Sequence, residues 1–217
     1  MPVVKGKQGG FSLQNDFAAE LQQASDILKN GGVVAFPTDT VYGLGAMADN
    51  PVAIRRIFDI KERPLTQALP LLAADITQAE SATYVVSEAA RLLMLHFWPG
   101  ALTLVLPRAA WIPEILTAGG ATVAVRVPAH PLALALMKVA GGPLVGTSAN
   151  LHGSPSPVTA NDVRAQLKSR VDFIIDGGRA PVGIESTIVD MTTSPPRILR
   201  QGGVKREAIE QIIVELL

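Results

Sequence analysis

Apolar residues recur at Phe17, Leu21, Ala24 and Leu28, the spacing of one helical face, and Gly31-Gly32 supplies the stop. The unbroken run VVAF at 33–36 then predicts a buried strand. Asn50 and Pro51 form a cap and first-turn pair, and Ile54, Ile57 and Phe58 keep helical spacing until Pro64 ends the segment. A short apolar run at 68–72 is followed by a helix from Glu88 to Phe97, stopped by Trp98-Pro99-Gly100, and by the strand LTLVL at 102–106. TVAVRVP at 122–128 alternates with period two and predicts a strand with one face buried. Pro131 opens a helix that runs to Gly141-Gly142, LVG continues as strand, Thr159 caps a further helix, and FIID at 173–176 reads as a short strand. STIVDM and RILR flank a Ser-Pro-Pro turn, close enough for an antiparallel hairpin, before a helix from about Lys205.

The pattern predicts about eight strands interleaved with about six helices, an α/β fold with helices covering a sheet of mixed direction. No Ser/Gly linker, charge run or repeat divides the 217 residues, so one domain over 1–217 is expected.

Composition narrows the function. Hydrophobic residues are 48% and charged residues 18%, which excludes intrinsic disorder. Nineteen Lys plus Arg balance nineteen Asp plus Glu, so no global field drives binding to nucleic acid or an anionic membrane. Cysteine is absent, which removes disulfides, thiolate metal sites and cysteine nucleophiles. His96, His130 and His152 show no metal-ligand spacing. The start MPVVKGKQGGF lacks a signal-peptide apolar run, and the expected location is the cytoplasm.

Polar residues stand where strands end. FPTDTVYG leaves a buried strand and puts Thr38, Asp39, Thr40 and Tyr42 on the connection, either as ligand contacts or as a turn held by side-chain bonds to backbone. Lys61 and Arg63 of KERP lie at a helix exit, where cations complement the helix dipole and usually face water. Arg126 lies inside an alternating apolar strand, so it is either exposed or paired with an anion. Ser148 and Asn150 end LVGTS, Ser156 follows on a Pro-rich loop, and Arg200 precedes Gly202-Gly203. GTSAN narrowly misses the GxSxG nucleophile elbow, and no GxxxxGK[ST] or GxGxxG signature is present. Four cations at element ends point to a polyanion such as a nucleotide triphosphate.

The ordered set FPTDTVYGLG, KERP, WPGALTLVL, TVAVRVP, GTSAN, ESTIVD and ILRQGG, over about residues 15–205, resembles the YrdC family of threonylcarbamoyl-AMP synthases, in its short single-domain bacterial form. Its most specific elements are KxR, here Lys61-Glu62-Arg63, SxN, here Ser148-Ala149-Asn150, and PTDTVYGLG. The resemblance implies an open twisted mixed sheet with a concave cleft. It also implies condensation of L-threonine, bicarbonate or CO2 and ATP, releasing pyrophosphate, as the first step toward the threonylcarbamoyladenosine of tRNA. By the family's pattern Thr40, Arg126 and Ser186 hold threonine, with Arg126 on its carboxylate. Arg63, Thr122, Ser148, Ser156 and Arg200 hold ATP, with Lys61 and Asn150 near the phosphates and Lys61 and Arg63 as the catalytic pair.

Magnesium bound with ATP is the implied cofactor, with no protein metal cluster. The implied partners are the downstream tRNA threonylcarbamoyl transfer machinery and, more weakly, tRNA itself, with no membrane. The chain departs from longer family members after KERP, where their common Asn-Pro-Leu run and following histidine are replaced by Gln67-Ala68-Leu69 and Leu72. The alternative reading is an RNA-binding module of the same fold without synthase activity.

Overall fold

A computed structural model describes residues 17–181 and 184–214. The segment MPVVKGKQGGF lies outside the described residues. Helix α1 (Ala18–Lys29) leads into β1 (Val34–Phe36) and the antiparallel β2 (Gly43–Gly45). There follow α2 (Pro51–Lys61), β3 (Leu71–Leu72), α3 (Ile76–Ser81), α4 (Glu88–Phe97), β4 (Leu102–Pro107), α5 (Glu114–Thr117) and β5 (Thr122–Arg126). The chain continues through α6 (Pro131–Ala140), β6 (Leu144–Val145), β7 (Thr147–Ser148), α7 (Ala160–Leu167), β8 (Phe173–Ile174), β9 (Thr187–Asp190), β10 (Arg197–Arg200) and α8 (Arg206–Val214).

The strands divide into two mixed sheets, one ordered β7-β2-β1-β8 and the other β10-β9-β4-β5-β3-β6. The fold class is as expected, but ten strands and eight α-helices replace the predicted eight and six among the described residues. Gly146 marks the crossing point: β6 ends the larger sheet and β7, one residue later, edges the smaller. Leu72 packs so close to Gly146 that a Cβ there would meet Leu72 Cγ at 2.2 Å, so only glycine fits this crossing without a shift.

The caps follow the sequence signals. Asn50 accepts from the backbone of Val52 and Ala53, and Thr159 forms a capping box with Asp162, a device of about 1 kcal/mol. β1 is buried on both faces: Val33 and Ala35 join the core around Ile54, Phe58, Leu93 and Leu104, while Val34 and Phe36 join that around Leu28, Leu136 and Met137. This double burial explains why VVAF shows no alternation.

The larger sheet has one face in the core and one toward open space. In β4, Leu102, Leu104 and Leu106 are buried in the core, and Leu104 lies opposite Val125 of β5. The alternate positions Thr103 and Val105 on β4, Ala124 and Arg126 on β5 and Ile188 on β9 therefore share the opposite face.

Candidate functional site

That opposite face forms the floor of a cavity of about 340 Å³. Its walls are Thr38, Thr40 and Val41 from the β1–β2 connection, Gly43 of β2, Thr147 and Ser148 of β7, Arg63 and the stretch around Ala68, Pro70 and Leu72, and Glu185, Ser186 and Arg200 beside β9 and β10. Both sheets thus contribute, which is why a pocket drawing on residues 38 to 200 forms at all.

At one end Arg126 is 6% exposed and tied to the wall through all three of its nitrogens. Its Nε donates to Gly100 O at 2.8 Å, Nη1 to Thr40 Oγ1 at 3.0 Å, and Nη2 to Asp39 Oδ1 at 2.5 Å. Thr40 Oγ1 lies 3.0 Å from Thr38 Oγ1, which itself donates to Val41 O. Burial disfavours the charge on Arg126 and the Asp39 carboxylate opposes that effect, with Arg200 adding slightly to the destabilisation. His130, at the N-cap of α6, has a buried Nδ1 without a hydrogen-bond partner; burial lowers its pKa and Asp39 works against the shift. Of the two readings of Arg126, exposed or paired with an anion, the structure shows the paired one, and the anion is Asp39.

The opposite wall is built by the KxR and SxN segments. Arg63 follows Glu62, whose φ of 54° closes α2 in the left-handed region, and it reaches back to Gln67 O at 3.4 Å and Ala68 O at 3.0 Å while lining the cavity. Lys61 corrects the expectation of a solvent-facing helix-end lysine: it is 1% exposed. Its ammonium donates to Ser148 O, to Asn150 O at 2.7 Å and to Asn150 Oδ1 at 3.4 Å. Asn150 in turn donates through Nδ2 to Leu151 O and Ser154 O. Burial pulls the Lys61 pKa down to about 7, with the neighbouring Arg63 charge adding and Glu185 opposing. Lys61 and Asn150 therefore stand behind the cavity wall, and Lys61 holds Ser148, which lines it.

At the rim Arg200 forms an ion pair with Glu185, both side chains 41% exposed. Arg200 Nε and Nη2 donate to Ser186 O at 3.1 and 3.0 Å, and Ser186 Oγ lies 2.8 Å from the buried Thr103 Oγ1. Ser156 donates to Glu185 Oε1 at 3.0 Å, so it reaches the rim through that carboxylate and does not line the cavity. Thr122 lies on the cavity face of β5, two residues beyond Ala124, outside the lining.

Thr40, Arg63, Arg126, Ser148, Ser186 and Arg200 are thus brought around one hollow; Lys61, Asn150, Thr122 and Ser156 surround it. Tyr42 leaves the group, since its ring is in the core and its hydroxyl donates to Gly178 O at 2.7 Å. The departing positions Ala68, Leu69 and Leu72 all line the cavity, where Leu72 presents an apolar surface. Sequence reasoning missed the carboxylates Asp39 and Glu185 as partners of the arginines, and Thr103. The available signal was that Asp39 and Glu185 each adjoin a residue already singled out, Thr40 and Ser186.

The Sua5_yciO_yrdC family profile, described as "Telomere recombination", matches residues 26–202. The threonylcarbamoyl-AMP synthase of Pyrococcus abyssi is 43% identical over 197 residues, covering 91% of this chain and 58% of that protein. The Bacillus subtilis enzyme of the same name is 46% identical over 195 residues, with 89% and 56% covered. The chain therefore spans little more than half the length of these two relatives. The crystal structure of P. abyssi Sua5 complexed with L-threonine superposes with a TM-score of 0.88 at 43% identity, over 90% of this chain and 57% of that one.

Proposed function

The chain belongs to the Sua5/YciO/YrdC family, and on that premise we propose that it condenses L-threonine, bicarbonate or CO2, and ATP into threonylcarbamoyl-AMP and pyrophosphate, with water released as well when bicarbonate is the carbon source. It would thus act as a nucleotidyltransferase supplying tRNA modification in the cytoplasm. The observation that carries this reading is the single cavity shared by Arg63, Arg126, Arg200 and the hydroxyls of Thr40, Ser148 and Ser186. Its size falls in the range of about 300–1,000 Å³ usual for small-molecule sites.

In this reading the threonine carboxylate meets Arg126, and Thr40 and Ser186 orient the rest of the amino acid. The free amine captures CO2 or bicarbonate, and the carbamate oxygen attacks the α-phosphorus of ATP. The bond to the bridging oxygen breaks and pyrophosphate leaves. Arg63 and Arg200 neutralise the charge that moves onto the leaving group. Lys61 serves from behind, by fixing Ser148 and Asn150. No step needs a protein nucleophile, which agrees with a chain that has no cysteine. Magnesium would arrive with ATP, held by phosphate oxygens and water. Among the described residues no group of three or more His, Cys, Asp or Glu could hold a metal ion. The product would pass to the tRNA threonylcarbamoyl transfer machinery.

The test is pyrophosphate release with ATP, bicarbonate and magnesium in the presence of threonine, of serine, or of neither. Release that depends on threonine, with a threonylcarbamoyl adenylate recovered, is the expected result. No product with threonine, together with retention of RNA at moderate salt, would make the chain a binding module instead.

A further inference from the structure

The guanidinium of Arg126 is held by three acceptors from two parts of the chain: Gly100 O before β4, and Thr40 Oγ1 and Asp39 Oδ1 on the β1–β2 connection. Each nitrogen places one proton in the wall, which leaves one further proton on each Nη. Asp39, 7% exposed, lies beside the same cavity without lining it. Its charge repels an incoming carboxylate, so attraction of the substrate cannot be what it contributes. What it does supply is a third acceptor, on Nη2, beside those on Nε and Nη1.

We propose that Asp39 is a positioning residue, which orients the Arg126 guanidinium so that its free protons are presented to the substrate carboxylate. This rests on the reading above, in which Arg126 meets that carboxylate. Geometry being the contribution, an uncharged acceptor of the same shape substitutes for Asp39, whereas a side chain without an acceptor does not. A carboxylate present only to neutralise a buried cation has the opposite signature, because removing the charge alone then does the damage.

The experiment compares Asp39→Asn with Asp39→Ala in pyrophosphate-release kinetics. Asp39→Ala should raise the threonine KM at least about tenfold, the effect of one lost hydrogen bond to a charged group, with the ATP KM within about twofold of wild type. Asp39→Asn should keep the threonine KM within about twofold or lower it, since the repulsion is gone. Should Asp39→Ala fail to fold, Asp39→Ser, whose shorter side chain falls short of Nη2, takes its place. Equal losses in the Asn and Ala variants, or an unchanged threonine KM in Asp39→Ala, would overturn the assignment.

A second readout needs no turnover: heteronuclear NMR of the Arg126 Nη protons, identified by their loss in Arg126→Lys. Wild type and Asp39→Asn should show separate lines for the restrained Nη groups, and Asp39→Ala should show them averaged. Lines that stay separate in Asp39→Ala would sink the positioning role. If wild type released no pyrophosphate with threonine, the synthase reading would fall while this measurement still decided the role of Asp39.

Discussion

Arg126 and Arg200 each pair with a carboxylate beside the same cavity, yet their environments differ sharply. The Arg126–Asp39 side chains are 7% and 9% exposed, whereas both members of the Arg200–Glu185 pair are 41% exposed. The first pair is locked between β5 and the β1–β2 connection; the second lies on the terminal strand pair of the larger sheet, open to water and ions. A buried pair fixes geometry and is poorly screened by salt, while an exposed pair exchanges partners readily. The cation at one end of the cavity is therefore held in a set orientation, while the cation at the other end can exchange its partner.

Breaking the buried pair should give the largest effect. Arg126→Ala leaves Asp39 buried without a partner, and destabilisation of about 3–5 kcal/mol is expected by chemical denaturation. In the fraction that folds, threonine-dependent pyrophosphate release should fall about a hundredfold or more while nucleotide binding, measured by calorimetry, changes little. Equal loss of both ligands would mean that the two ends of the cavity are not separate, and the contrast between them would fail.

Lys61 gives the next effect and tests a third kind of cation, one buried behind the cavity wall. Lys61→Met removes the partners of two carbonyls, Ser148 O and Asn150 O, at about 1–3 kcal/mol for each oxygen left buried and unpaired. The pH dependence has a definite sign. With its pKa at about 7 in the fold against 10.5 for the free side chain, Lys61 is deprotonated in the native state and protonated in the unfolded chain between those values. Unfolding takes up a proton there, so the contribution of Lys61 to stability grows with pH from about 7 to 10.5 and is lost as pH falls through 7. The difference between wild type and Lys61→Met in urea unfolding should therefore slope upward over this window, by at most about 1.4 kcal/mol per pH unit. A flat difference would show that the carbonyl cage keeps the ammonium charged throughout.

This lysine also shows how far the sequence reaches. Gly and Pro punctuation placed α4 at Glu88–Phe97 and α6 at Pro131–Ala140, and Arg126 stood out because a charge in an alternating apolar strand demands an explanation. Lys61 was hidden by its position in a last helical turn, although Ile54, Ile57, Phe58 and Lys61 share one stripe at i, i+3, i+4 and i+7, a pattern that predicts burial. Elements such as β2, β7 and α5 span two to four residues, too few for a period to register. The division into two sheets depends on pairings such as Gly43 with Ser148, which no local pattern encodes. The carboxylate partners escaped for the same reason, since Asp39 meets Arg126 only after β1 and β5 are assigned to different sheets.

The smallest effect belongs to the rim. Glu185 occupies Arg200 and also accepts from Ser156, so in the proposed reaction it would compete with a nucleotide phosphate for the same guanidinium. Glu185→Gln keeps the shape and removes the charge. An exposed pair contributes about 0–1 kcal/mol, so stability should move by no more than that. The ATP KM should fall about two- to threefold at low ionic strength, because Arg200 is no longer bound to a competitor, and the threonine KM should stay put. Raising salt toward about 0.5 M screens the pair in wild type and should shrink the difference between the two proteins, whereas the effects of Arg126→Ala should survive, since that pair is shielded from solvent. A salt-independent gain in Glu185→Gln would place Glu185 in contact with the nucleotide itself and erase the distinction between a preset end and an exchangeable one.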